Sequence, residues 1–541
     1  MDIIIASVSG LLITFYTLCI CVGLGIGMQK IIFRNKIQSL STFFYTGCIF
    51  LIPYLQVWHL FFPVNINTWV IPSVLGMSGL GVYCYYNKIK YNPDKNIVIG
   101  FVFFIILSLY FTLQSFYDKF TYDALTYYIQ TIRWYKQEAI IPGHANLFLY
   151  FGLNQSWFLM GAFFDSLPDG FRGLYITNAV FLSIASFFHA SRMIDSFQRK
   201  QYNMMVFSLL ALFLLLKTLP NQINIPATDI AILIITLEIF THIARMIFFR
   251  RITISTFIYM FSLCMIGMSI KLSMIGLCAG LCVFALWKWN IFNVIRKNRV
   301  TLCFSLSILL IWMLRGVIIS GYPLYPFPGI RLPVDWLADY ETAVNFSSYI
   351  KIFAITHTHG IEAADFHLRE WIGHWALDTI KKVRTIIFLM GFSALLIHFY
   401  LYKRKKSEIL AFMSIPFISI SFWLFTAPDI RFNTGLFWGI GSIGIALWAT
   451  GLKTYSRYLW VIPLITMMFY LNSIWVPNPT LPPFPCMKTT LSSGFEVYVP
   501  MYPEAGEWRI ASCPLPSSVL PNQNLRLRGK SYKEGFTISP K

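Results

Sequence analysis

Charge is what this chain has least of. Lys, Arg, Asp and Glu together make up 12% of its 541 residues, about half the share of a soluble domain. That scarcity excludes the string of soluble domains that length alone would suggest. Acids are scarcer still, at 23 against 43 basic residues. Phosphate loops, dinucleotide fingerprints, nucleophile elbows and the HExxH spacing are missing from any usable context, which disfavours nucleotide chemistry and a zinc-protease site. No internal repeat or low-complexity tract stands out.

What fills the chain instead is apolar. Hydrophobic residues account for 57% of it, and the mean hydropathy is +0.62. The repeating unit is an apolar stretch of roughly 17–25 residues, long enough to cross a bilayer core. The first, Ile3 to Met28, has no basic region before it and no small-residue cleavage site after it. It reads as a span and not as a removable signal.

The net charge of +20 is distributed unevenly. Seven short linkers (30–38, 87–96, 192–202, 245–251, 288–299, 403–408 and 453–457) carry 22 Lys and Arg residues against three acids, Asp94, Asp195 and Glu408. That is the positive-inside pattern. The basic excess is therefore a topology signal and a contact with anionic membrane lipids, and nucleic acid is not an expected partner.

With those linkers on the cytoplasmic side, fourteen spans are predicted. They are 3–28, 40–62, 68–86, 97–114, 173–192, 203–219, 229–247, 252–269, 272–288, 301–319, 384–402, 408–426, 433–451 and 456–474. Both termini then lie outside the cytoplasm. The segment 147–166 is apolar, but counting it would put Arg199 and Lys200 on the wrong face, so it reads as re-entrant or interfacial. The expectation is an all-α polytopic membrane protein in three parts: N-terminal helices 1–96, a transmembrane core 97–474, and an extracytoplasmic tail 475–541 forming a small cap.

Two outer loops, 114–172 and 320–383, are too long to be simple connections. In the first, TYDALTYYIQTIRWYKQEA places Leu125, Ile129, Ile132 and Tyr135 near one helical face. Tyr127, Tyr128 and Trp134 suit a helix lying at the membrane interface. Asp118 and Asp123 follow a span directly; a carboxylate there can deprotonate an incoming hydroxyl or help hold a divalent cation. The alternative for Asp123 is a helix N-cap.

Other ionisable residues sit beside or within apolar segments, where charges are costly and pair or line a polar cavity. Lys271, Arg315 and Arg431 all fall near the outer leaflet, and together they would suit a phosphate or pyrophosphate headgroup. Asp229 opens another span, and Asp429 is the local partner for Arg431. The alternative for all of them is snorkelling or structural pairing. His357, His359, His367 and His374 cluster in the second loop, but with Glu370 they match no metal-binding motif, and no metal site is assigned. Eight cysteines lie in apolar spans as small buried hydrophobes. Cys486 and Cys513, both in the tail, are expected to form one disulfide in an oxidising compartment.

At the first loop the text becomes recognisable. DALTYYIQTIRWYKQEAIIPGHANLFLYFGLNQSWFLMGAFFD resembles a family of uncharacterised bacterial multi-spanning membrane proteins. The likeness continues in PATDIAILI, SIKLS, ISGYPLYP and APDIRF, and in the tail pattern VYVP, CPLP, LRLRG and GF. It covers most of the chain beyond about residue 110. Tyr128 stands where that family usually has His.

A wider resemblance is to GT-C-type glycosyltransferases, which use polyprenyl-phosphate-linked sugar donors and place an acid in the first long outer loop. This chain shows no adjacent acidic pair there. The resemblance implies a GT-C-like transmembrane enzyme in the bacterial inner (cytoplasmic) membrane, acting on an unknown envelope acceptor. It implies Asp123 or Asp118 as base and Lys271, Arg315, Arg431, Asp229, His144, Asn146 and Trp134 as substrate-binding residues. No cofactor is expected, a divalent cation being left open. The rivals are a flippase of lipid-linked saccharides, working without bond chemistry, and a non-catalytic envelope scaffold.

Overall fold

The protein is described by a computed structural model over residues 3–33, 39–87, 95–250, 252–358, 365–401, 406–448, 461–470, 481–502 and 507–538. Much of the expected basic linkers, both ends of the expected span 456–474, and His359 lie outside these residues.

Among the described residues, seven helices are long and apolar enough to cross a bilayer: Ile3–Phe33, Leu40–Phe61, Gly173–Gln198, Thr228–Phe249, Ile291–Ser320, Val383–Leu401 and Glu408–Thr426. Four shorter apolar helices accompany them: Val98–Gln114, Tyr202–Leu216, Ile254–Ile270 and Met274–Lys288. The remaining expected spans are also helical where described, over Val70–Asn87, Thr434–Leu447 and Val461–Tyr470. This is an all-α protein of membrane type.

Small residues set the packing. Without a hydrophobic drive between helices in lipid, close van der Waals approach decides which faces meet. A side-chain carbon on Gly444 would run into the Gly391 carbonyl, and one on Gly23 into that of Gly76. These glycines let Thr434–Leu447 lie against Val383–Leu401 and the first helix against Val70–Asn87.

Segment 147–166 does not form one helix. It is a 3-10 turn, Leu149–Leu153, then Asn154 in the left-handed region, then the helix Ser156–Asp165. Ten helical residues extend only about 15 Å, half the hydrocarbon thickness. The piece is nonetheless buried from Ser156 to Phe164, wedged among the other helices. Trp157 Nε1 donates to Asn178 Oδ1 at 2.8 Å, and Gln56 Nε2 to Ser156 Oγ at 2.7 Å.

The tail carries two antiparallel hairpins, β1 (Cys486–Thr490) with β2 (Glu496–Pro500) and β3 (Arg526–Leu527) with β4 (Phe536–Thr537). A Cys486–Cys513 disulfide staples the first hairpin to the following loop. The tail is strapped to the first long loop. The Ile510 and Ala511 amides donate to the Leu125 carbonyl at 3.0 and 2.9 Å, and the Phe536 amide to the Pro142 carbonyl at 2.9 Å. Gly143 makes that last approach feasible: its φ is +65°, and a Cβ there would strike the Phe536 carbonyl.

This docking corrects the expected interfacial helix. Leu125, Ile129, Ile132 and Tyr135 do share a buried face, but Tyr127, Tyr128 and Trp134 are buried as well. Trp134 meets Tyr532 and Phe536 of the tail edge-on, with centroids 5.6 and 6.2 Å away. Of the aromatic residues that looked like a membrane belt, Trp134 seats the tail, whereas Tyr127 and Tyr128 pack on each other and on Phe158.

Candidate functional site

The first loop enters its helix through a π-turn, Ala124–Tyr128, closed by the Ile129 amide bonding back to the Ala124 carbonyl. Such turns are rare and frequent at functional sites. Asp123 stands at its head in helical conformation, and its side chain makes no capping bond. The helix-cap explanation for Asp123 therefore falls away. The π-turn instead stacks Tyr127 on Tyr150, with centroids 4.7 Å apart, and turns Tyr128 edge-on to Tyr127, also at 4.7 Å. The charge of Asp123 reaches Tyr127, Tyr128, Tyr150 and Tyr349, and that of Arg431 reaches Tyr128 and Tyr349.

Within electrostatic range of Asp123 lies the turn between Glu408–Thr426 and Thr434–Leu447. Asp429 caps it: its Oδ1 accepts from the Arg431 amide at 2.9 Å, and its Oδ2 is 2.9 Å from Arg431 Nε. That second contact is an ion pair whose Nε–H is not aimed as a hydrogen-bond donor. Trp423 Nε1 donates to the Asp429 carbonyl at 2.8 Å and Trp375 Nε1 to the Pro428 carbonyl at 2.7 Å, so two indoles clamp this turn. His357 Nδ1 stands 3.9 Å from Asp429 Oδ2.

The third element is the break between Ile254–Ile270 and Met274–Lys288. Lys271 ends the first helix in extended conformation. Its ammonium pairs with Asp229, in the first turn of Thr228–Phe249, and lies over the Phe432 ring at 3.8 Å. Arg431 shares that ring, its guanidinium carbon 4.8 Å from the centroid. Phe432 thus carries two cations, each held by its own carboxylate.

Arg431 ties the three elements together. Burial lowers its pKa, but Asp229, Asp429 and Asp123 more than reverse this and hold the guanidinium above its ordinary range. Arg384, whose Nη1 donates to Thr434 Oγ1 at 2.9 Å, adds a third cation within electrostatic range of Asp429 and Asp229. The arrangement offers one carboxylate beside tyrosine hydroxyls and, across from it, cations only partly spent on partners. It can accept a proton on one side and steady an anion on the other.

The structure distributes the sequence candidates unequally. Asp123, Asp229, Lys271 and Arg431 converge. Asp118 is exposed in a loop tethered by Asn224 Nδ2, which donates to the carbonyls of Tyr117 at 2.8 Å and Lys119 at 3.2 Å. Arg315 does not join the other cations. It is fully buried among different helices, its Nη1 3.2 Å from both the Gln56 carbonyl and His59 Nδ1, with Tyr135 as its aromatic neighbour.

Trp134, His144 and Asn146 seat the tail. His144 stacks on Phe151 and Phe536, and burial lowers its pKa to about 3, so it carries no charge to offer a phosphate. Asn146 Nδ2 donates to the carbonyls of Trp336 at 2.9 Å and Phe536 at 3.3 Å. His367, Glu370 and His374 are exposed. No group of three or more His, Cys, Asp or Glu among the described residues could hold a metal ion.

Fold and site together define a class: a many-helix membrane-type protein whose long loops and one interhelical break enclose an acid, tyrosines and cations. Within that class the chain belongs to the family described as a domain of unknown function (DUF8201), whose model matches residues 8–438. The match takes in Asp123, Asp229, Lys271 and Arg431 but stops short of the tail. No curated protein and no solved structure matches the chain.

Proposed function

We propose that the protein is a GT-C-like glycosyltransferase of the bacterial inner membrane, with fourteen spans and its long loops and both termini outside the cytoplasm. It transfers a sugar from a polyprenyl-phosphate-linked donor to an acceptor of the envelope. The observation that carries this reading is the placement of Asp123: at the head of a π-turn, not capping it, and within electrostatic range of Arg431, which Lys271 joins on the Phe432 ring.

In the reaction, the acceptor hydroxyl attacks the anomeric carbon while Asp123 takes its proton. The bond from that carbon to the phosphate oxygen breaks, and polyprenyl phosphate leaves with the electron pair, inverting the sugar carbon. Arg431 and Lys271 meet the charge that grows on the leaving oxygen, where preorganised cations act most strongly. Of the two candidate acids Asp118 and Asp123, Asp123 is the base. Asp118 has no place in the mechanism.

The test is mass spectrometry of envelope glycans and polyprenyl-linked intermediates in wild type, a deletion strain, and the deletion carrying Asp123→Asn. A general base contributes typically 10²–10⁴-fold. One glycan should disappear and its lipid-linked donor accumulate in both the deletion and the Asn strain. If Asp123→Asn restores the glycan that the deletion loses, Asp123 is not the base, and a flippase that only binds the headgroup takes precedence.

A further inference from the structure

The tail carries a hollow of about 730 Å³ between its two hairpins and the end of the first-loop helix. It is separate from the Asp123 cluster and shares no residue with it. Its walls are Tyr498 of β2 and Tyr532 beside β4, and Glu138 contributes a carboxylate from the body of the protein. The Tyr532 hydroxyl lies within electrostatic range of Lys488, Glu138 and Tyr498, so the polar groups converge on one space. Convergent polar groups around aromatic walls are what distinguish a ligand pocket from a surface dent.

Three observations specify the occupant. Tyrosine rings present flat apolar faces with a hydroxyl at the tip, which suits the faces and edges of sugar rings. The buried Oε2 of Glu138 has no hydrogen-bond partner among the described residues, although a carboxylate oxygen can accept from donors such as sugar hydroxyls. Lys488 is neutralised by Glu496 at 2.5 Å, but the exposed ammonium groups of Lys530 and Lys533 have no carboxylate partner among the described residues. The lining therefore has cationic capacity to spare.

We propose that this hollow is a binding site for an acidic oligosaccharide. The rings of Tyr498 and Tyr532 pack on its sugars, Glu138 accepts from a hydroxyl, and Lys530 and Lys533 meet its carboxylates. The site stands independently of the transfer reaction. It gives the tail a recognition role of its own.

Titration calorimetry on the full chain in lipid nanodiscs tests this with two acidic probes, tetragalacturonate and 3′-sialyllactose. Their neutral counterparts are the fully methyl-esterified tetramer and lactose. At least one acidic probe should bind, with its neutral counterpart at least tenfold weaker. Lys530→Gln/Lys533→Gln should lose about tenfold in affinity, and Tyr532→Ala should lose more. Should Tyr532→Ala lower the melting temperature, the double lysine variant, confined to exposed side chains, carries the test. Absence of binding by both acidic probes overturns the proposal. So does equal affinity for the neutral forms, or unchanged affinity in the double lysine variant.

Discussion

Arg192 and Glu238 on one hand, and Lys271, Asp229, Asp429 and Arg431 on the other, are both sets of opposite charges in an apolar protein. They are satisfied to very different degrees. Arg192 Nη2 meets Glu238 Oε2 at 2.7 Å, with side chains 9% and 1% exposed. The remaining valences are filled too: Arg192 donates to Ser41 Oγ at 2.9 Å, and Glu238 Oε1 is 3.3 Å from His242 Nε2 and 3.5 Å from the Tyr259 hydroxyl. In the loop-end cluster, Arg431 keeps 39% of its side chain exposed and Lys271 keeps 18%. Lys271 pairs with Asp229 and Arg431 with Asp429, and both side chains retain solvent-facing surface. A closed network holds helices in place, whereas an open one can still take a ligand.

The comparison breaks most visibly if the closed network is opened. Removing one partner of a buried pair strands the other charge and costs about 3–5 kcal/mol, whereas replacing both with apolar residues of similar volume is often neutral or better. Glu238→Ala should therefore sharply reduce the yield of folded protein and its melting temperature in detergent. Arg192→Met/Glu238→Leu should recover most of that loss and keep whatever envelope phenotype the wild type supports. If the double variant folds but loses the phenotype, the network has a function beyond holding Gly173–Gln198 against Thr228–Phe249.

The open cluster should behave the opposite way. Arg431→Lys keeps the charge but gives up the planar, multi-donor geometry, which is not conservative where an anion is gripped. Lys271→Met keeps the stem over Phe432 and removes the charge. Each should lower glycan output roughly tenfold to a hundredfold, in line with losing one charge-assisted contact of about 1.5–3 kcal/mol. The melting temperature should move little, because both side chains are partly exposed. Melting curves and glycan mass spectrometry on the same variants separate the two behaviours. A large stability loss from Lys271→Met would put the cluster in the same structural class as the bundle pair.

Local signals made part of this legible. APDIRF holds Asp429 and Arg431 two residues apart, so their pairing could be read directly, and SIKLS interrupts an apolar run, which marked Lys271. Arg315 looked equivalent, but its depth put it at no fixed azimuth, and the helix turned it toward Gln56 and His59. Tyr150, Tyr349 and Arg384 were missed because they come from three separate segments, the 3-10 turn of the first loop, the second loop and the start of Val383–Leu401, that only the fold brings together. The π-turn had no pattern of its own to betray it. Glu238 did leave a signal, an acid inside an apolar span, and it could have been singled out. The strap of the tail over Trp134 was hidden because Trp and Tyr look alike at a membrane surface and beneath a protein cap.

A third, weaker kind of pairing completes the comparison: Glu507 with Arg509 in the tail, near the strap to Leu125. Glu507 Oε1 accepts from the Arg509 amide at 2.8 Å and from its Nε at 2.7 Å, with the side chains 19% and 39% exposed. The hydrogen bonds from Arg509 hold the Glu507 carboxyl below its ordinary value of 4.5. A lowered folded-state pKa means the unfolded chain binds the proton more readily, so stability from this pair is fully present above about pH 5. It is lost as pH falls through the folded value. Exposed pairs contribute only about 0.2–1 kcal/mol, so Glu507→Gln should melt slightly below wild type at pH 7. The two curves should converge once the pH falls below the folded-state value of Glu507. A gap that persists unchanged at low pH would mean that Glu507 acts through packing against the strap and not through its charge.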